Sequence, residues 1–161
     1  MARFSLYSGV ILAVLLALLA QTVQTVQAGT KPGLEQIKDA ALITLLTDKT
    51  VISEYKDGDG GIKDFRFTEH HLKDGTTDYI ELGHPVEKGL WNIIGGDKVC
   101  YKYPGNEVFT QTYCFFVYKI EDCYYNYHRR AMGLNGPRNT DWWTSRFIIK
   151  GEGGSCDAAV G

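Results

Sequence analysis

The sequence predicts a mainly β protein: an antiparallel meander curled into a small barrel of seven or eight strands, with one N-terminal helix. Three observations predict it. From Thr50 onward, short runs of β-branched and aromatic residues alternate with Gly, Asp, Asn and Pro turn clusters at even spacing. Only residues 34–46 carry helical periodicity, which argues against an α/β fold. Three of the four cysteines lie among the tyrosines and phenylalanines of residues 99–130, where they would staple neighbouring strands. Closing the sheet has a physical motive, because closure pairs the backbone groups that an open sheet leaves at its edges.

The elements follow in order. Arg3 and the apolar run VILAVLLALLA (residues 10–20) form a signal-peptide core too short to span a membrane comfortably. The segment ends Val26-Gln27-Ala28, and cleavage is expected after Ala28. Residues 1–28 are thus read as a signal peptide and 29–161 as a single barrel domain, periplasmic or secreted, with no membrane attachment after cleavage. Loss of Arg3 moves the formal charge from −2 to −3, which is no nucleic-acid footprint.

LEQIKDAALITLL (residues 34–46) places Leu34, Ile37, Ala41 and Leu45 on one helical stripe with Leu42 beside it. The helix would cover one end or one seam of the barrel. TVISEY (50–55), IKDFRFT (62–68), TTDYIEL (76–82), GLWNII (89–94), KVCYKY (98–103), TQTYCFFVYKI (110–120), CYYNYH (123–128) and SRFIIKG (145–151) read as strands. Residues 56–61, Asp74-Gly75, Gly95-Gly96-Asp97 and Pro104-Gly105-Asn106 read as turns. A barrel of this size is filled by side chains or holds one small ligand.

Alternation within KVCYKY turns Val99, Tyr101 and Tyr103 inward and Lys98, Cys100 and Lys102 outward. Tyr101 and Tyr103 are candidates for an aromatic binding cage, against the plainer reading of core packing. Phe115 and Phe116 point opposite ways, so the outer face of that strand needs a cover, from the helix or from a partner.

All four cysteines survive signal cleavage, and four thiols allow three pairings that sequence alone does not decide. Cys100 and Cys114 sit on neighbouring predicted strands. Cys123 and Cys156 would tie the C-terminal tail to the last aromatic strand. Closing the Cys100–Cys114 loop should contribute about 3 kcal/mol in the chain-entropy model. A thiol metal site lacks paired C-x-x-C spacing, so no metal and no cofactor are expected.

Other motifs fall away. Asp57 as the first ligand of a calcium loop would put Ile62 where glycine is required and Thr68 where a bidentate glutamate belongs. Adjacent His70 and His71 point to opposite faces of a strand, and the histidines read as scattered surface residues. No nucleophile elbow, phosphate loop or H-E-x-x-H is present. The carboxylates read mostly as turn residues, with no acid/base pair.

The stretches LLTDKTV (45–51), the Asp74-Gly75 hairpin, GLWNI (89–93), DKVCYKY (97–103) and CFFVYK (114–119) resemble a family of exported, uncharacterised small bacterial proteins with lipocalin-like barrels. The resemblance covers most of the mature chain. It implies the fold and export, and it transfers no activity and no catalytic residue. Cys123, Cys156 and Trp142-Trp143 fall outside its pattern.

Residues 129–144, RRAMGLNGPRNTDWWT, form a long loop for a small barrel. Arg129, Arg130, Arg138, Trp142 and Trp143 give it the composition of interface hot spots; the competing reading is a lid over the barrel's open end. Two function classes result. One is a non-catalytic binding protein for a small apolar ligand, a glycan or a protein. The other is a hydrolase or other enzyme on the same scaffold, for which no catalytic residue stands out.

Overall fold

The computed structural model describes residues 33–57, 62–105, 107 and 111–156, and of residues 62–65 the backbone only. The expected signal peptide and cleavage point, and parts of the turns expected at 56–61 and 104–106, lie outside the described residues. The elements are β1 (Glu35–Ile37), α1 (Asp39–Leu46), β2 (Lys49–Lys56), β3 (Ile62–His71), β4 (Thr76–Glu81), β5 (Glu87–Ile94), β6 (Lys98–Lys102), β7 (Tyr113–Ile120) and β8 (Cys123–His128). A 3-10 turn (Arg129–Ala131), the short hairpin β9 (Met132–Gly133) and β10 (Gly136–Pro137), and β11 (Ser145–Ile149) complete the chain.

Strands β2 to β8 form an antiparallel meander. Strand β11 then pairs with β2 on one side and β8 on the other, closing an eight-stranded barrel. This is the small lipocalin-like barrel that the strand pattern predicts.

The helix is shorter than its periodicity suggests. Residues 35–37 form β1 and pair with Val117–Lys119 of β7. Strand β6 accompanies only the first part of β7, through Tyr113–Phe115, and the remaining β7 backbone needs a partner on that side. Strand β1 supplies it. Helix α1 starts at Asp39, whose N–H donates to Gly96 O at 2.5 Å, and Thr47 ends it by capping Ile43 O through both its N–H and its hydroxyl. Its buried residues are Leu42 and Leu46, not Ala41, which is exposed.

Leu42 and Leu46 plug one end of the barrel against Val51, Trp91, Val99, Val117, Phe147 and Ile149. Trp91 Nε1 donates to Leu72 O at 2.8 Å, so its one polar atom is satisfied there. His71, expected at the surface, is fully buried. Strand β3 runs past Thr68 to His71, and strict alternation from Phe67 carries Glu69 and His71 inward. His71 Nε2 lies 2.9 Å from Tyr101 Oη, and burial lowers its pKa to about 4.

A second apolar cluster sits outside the barrel wall. Tyr118, Cys123, Tyr125, Tyr127 and Ala131 are packed there with Phe116, Met132, Trp143 and Cys156. The cover expected on this face of β7 and β8 is not the helix: the chain after His128 folds back over it. Tyr127 Oη donates to Thr140 O at 2.7 Å, and Thr144 N–H donates to Asn126 O at 2.8 Å, pinning the returning end of that segment to β8. The aromatic density of residues 99–130 thus serves two layers, one on each side of the same strands.

Both disulfides form in the expected pairs, Cys100–Cys114 and Cys123–Cys156. Cys100 and Cys114 are direct cross-strand partners on β6 and β7. Cys123–Cys156 holds the tail on the outer cluster. There Arg146, only 2% exposed, donates from Nε to Glu54 Oε1 at 2.6 Å and from an NH group to Cys156 O at 2.8 Å. The Trp143 ring covers that guanidinium at 5.4 Å.

Candidate functional site

The end of the barrel opposite the helix is not filled. It holds a cavity of about 560 Å³, within the range of small-molecule sites. Strand register determines what faces it. One inward row runs Ile149–Val51–Glu69–Tyr79–Glu87 across β11, β2, β3, β4 and β5. The next row toward the mouth runs Tyr124–Phe147–Ser53–Phe67–Glu81. Tyr55, Tyr101, Tyr103, Tyr113 and Phe115 complete the aromatic wall, and His84, Pro85, Thr144 and Ser145 also line it.

The rings are locked against each other. Tyr55 stacks on Phe67 at 4.6 Å between centroids, and Phe67 meets Tyr79 at 4.9 Å. Tyr79 meets the edge of Tyr103 at 6.0 Å. Tyr103 reaches its place because residue 89 is glycine. A Cβ there would lie 2.6 Å from the Tyr103 ring and 2.9 Å from the Thr77 methyl.

Glu69 is the polar centre of this wall and is 5% exposed. Its Oε1 accepts from Tyr103 Oη at 2.5 Å and from Thr77 Oγ1 at 3.2 Å. Burial pushes its pKa up to about 7; the two hydrogen bonds oppose the shift and the nearby Glu87 carboxylate adds to it. Burial also raises the hydroxyl of Tyr55 to about 12, and those of Tyr79, Tyr101 and Tyr103 well above the ordinary tyrosine range. These hydroxyls keep their protons and act as donors. Tyr79 Oη donates to Glu81 Oε2 at 3.0 Å. The Glu87 Oε1 atom is buried without a hydrogen-bond partner among the described residues.

Comparison with protein-family models, with curated proteins and with solved structures returns no match.

The residues singled out in the sequence divide into two places. Tyr101 and Tyr103 line the cavity. Arg129, Arg130 and Arg138 are exposed, and Trp142 is 55% exposed. Trp143 lies on the outer wall, edge-on to Tyr125 at 5.9 Å, so neither tryptophan lids the cavity. Sequence reasoning missed Glu69, Glu81 and Glu87. The available signal was the Asp74-Gly75 turn: a hairpin closed there requires β3 to extend to its edge, and alternation from Phe67 then turns Glu69 inward.

Chemically, the cavity offers three carboxylates, a ring of protonated phenols and flat apolar faces. Glu69 can hold or release a proton near neutral pH. Its hydrogen-bond partners are a phenol and a threonine hydroxyl, and His71 is committed to Tyr101. No group of three or more His, Cys, Asp or Glu is gathered for a metal among the described residues.

Proposed function

We propose that this disulfide-stapled barrel is an exported binding protein, periplasmic or secreted, that holds one small ligand in the open end of its barrel. One observation carries the reading: the helix end is packed with aliphatic and aromatic side chains, whereas the opposite end keeps a cavity of about 560 Å³ walled by locked rings. A wall preorganised in this way loses little entropy when a ligand enters. Two disulfides suit a chain that matures in an oxidising compartment, and the resemblance to exported bacterial barrels agrees with that. The enzyme alternative has Glu69 as a proton-transfer group but no nucleophile paired with a base among the hydrogen bonds described.

The test is to fill the cavity. Ser53 is buried and sits between Phe67 and Phe147. Native mass spectrometry of protein purified from its own host should show a retained small molecule, and Ser53→Phe should remove it while the protein stays folded and oxidised. A ligand retained equally by both proteins would place binding elsewhere.

A second reading rests on Trp142. An exposed tryptophan on a segment carrying Arg129, Arg130 and Arg138 is the kind of surface that contacts a protein or a glycan. Trp142→Ala tests it, because that side chain packs in neither core cluster.

A further inference from the structure

Resting on the cavity-ligand reading, we propose that the ligand is an organic cation: an ammonium group borne on a flat apolar body, its charge seated between Glu69 and Glu87. The argument starts from register. Glu69 and Glu87 both lie opposite Tyr79, one on each neighbouring strand. Their backbones are two strand spacings apart, roughly 10 Å, and both side chains turn into the same cavity. An ammonium group between them is within reach of both carboxylates, with Tyr79 between.

The acceptors are left for such a group. Both donors to Glu69 reach Oε1 and neither reaches Oε2. Glu87 Oε1 is buried with no hydrogen-bond partner among the described residues. An acceptor buried without a donor is costly unless something else supplies one. No lysine or arginine lines the cavity among the described residues, and the basic side chain that does line it, His84, is directed to Glu81, with Nε2 3.7 Å from Oε1. The two carboxylates repel each other, and Glu69 is held near half-protonation by burial and by the Glu87 charge. A cation between them removes both penalties at once.

The walls fit the rest of such a molecule. Tyrosine and phenylalanine faces attract a cation and pack against a flat body. The stacked Tyr55–Phe67 pair and Phe115 supply those faces. An anionic ligand would meet three carboxylates instead. A neutral apolar ligand would leave Glu87 Oε1 buried and unpaired.

The experiment uses two probes that differ in charge, naphthylethylamine and naphthylethanol, titrated calorimetrically into the mature oxidised protein above about pH 7, where Glu69 ionises. The neutral dye phenylnaphthylamine reports separately on whether the cavity takes ligands at all. The amine should bind roughly tenfold to a hundredfold more tightly than the alcohol, the scale of a charge-assisted hydrogen bond. The double variant Glu69→Gln/Glu87→Gln should erase that difference while leaving affinity for the alcohol in place. Thermal unfolding of the variant reports that it is folded. Equal affinity for amine and alcohol, or an amine preference that survives the double substitution, overturns the cation assignment and leaves the cavity reading standing. Dye uptake without amine binding overturns it in the same way. Failure of all three probes to bind removes the cavity reading, and the assignment with it.

Discussion

Replacing Glu69 by glutamine isolates one buried proton. The carboxyl titrates at about 7 in the folded chain against 4.5 when unfolded. The folded state therefore holds a proton that the unfolded state has lost between those two values, and stability falls as pH rises through that window. A shift of this size corresponds to about 3 kcal/mol, lost in full above about pH 7. His71 acts with the opposite sign. Its pKa falls from 6.5 to about 4 on folding, so the unfolded state binds the extra proton and stability falls as pH drops below 6.5. Between pH 4.5 and 6.5 the two pH dependences oppose each other and their slopes cancel. Glutamine at 69 keeps an oxygen to accept from Tyr103 and Thr77, and it carries no proton equilibrium. The groups facing it are Tyr55 on β2, Tyr79 on β4, Glu87 on β5, Tyr101 on β6 and Tyr103 just after it. The four tyrosines stay neutral throughout the window, and Glu87 is common to both proteins. The gain of Glu69→Gln over wild type should then grow from near zero at about pH 4.5 to about 3 kcal/mol at pH 7 and above, at about 1.4 kcal/mol per pH unit. Urea denaturation of the ligand-free proteins across pH 4.5–8 measures it. A stability difference independent of pH would show that Glu69 titrates as an ordinary surface carboxylate, and the account of a costly buried acid would be wrong.

Further predictions concern the supports of the cavity and its wall. Gly89→Ala should drive Tyr103 off Glu69, because the new methyl overlaps the ring; a crystal structure with Tyr103 still hydrogen-bonded to Glu69 would refute this. Trp143→Ala uncovers the Glu54–Arg146 pair and should cost about 3 kcal/mol or more, whereas Trp142→Ala should change stability by less than about 0.5 kcal/mol; equal losses in thermal or urea unfolding would contradict the placement of the two rings. Removing Cys123–Cys156 by double alanine substitution opens a longer loop than removing Cys100–Cys114, with sequence separations of 33 and 14, and should cost about 4 against about 3 kcal/mol; the reverse order in urea melts would count against the chain-entropy account. N-terminal sequencing of exported protein should begin at Gly29, and a chain that still begins at Met1 would dismiss the signal peptide.

The barrel was legible because its strands alternate and its turns are marked by glycine, and the first disulfide because Cys100 and Cys114 fall on neighbouring strands; Cys123–Cys156, which joins a strand to the tail, then follows as the remaining pair. Three things were not. The first is the start of the helix. Leu34 and Ile37 fit a helical stripe, yet they end on opposite sides of the wall, Leu34 in the outer cluster and Ile37 against the barrel core. Residues three apart share a face on a helix and take opposite faces on a strand, so the pair fits a helix or a strand covered on both sides, and what decided between them was the unpaired stretch of β7, a tertiary demand. The second is the cover over Phe116. A strand apolar on both faces announces that something lies on it, but not what. The third is the acid at the centre of the site. Polar residues at strand ends read as turn or surface residues by default, and Glu69 and His71 sit two and four residues beyond Phe67, where only the reach of β3 could place them inside.

The second core explains how the barrel can keep an open end. A cavity forgoes the packing contacts that its lining would otherwise make, and here it also surrounds a carboxyl that burial pushes toward neutrality. The compensating contacts lie elsewhere in the chain. Helix α1 concentrates aliphatic packing at the opposite end. The outer cluster buries Tyr118, Tyr125 and Tyr127 beneath a segment that a disulfide holds in place. Stability drawn from the far end and from outside the wall does not depend on what occupies the mouth. The rings of Tyr55, Phe67, Tyr79 and Tyr103 are fixed by one another and by Glu69, so they keep their positions without a ligand to hold them. Disrupting the outer cluster should therefore lower stability without altering the ligand preference of the cavity. Substituting Glu69 or Glu87 should do the reverse, changing the preference while the fold is kept.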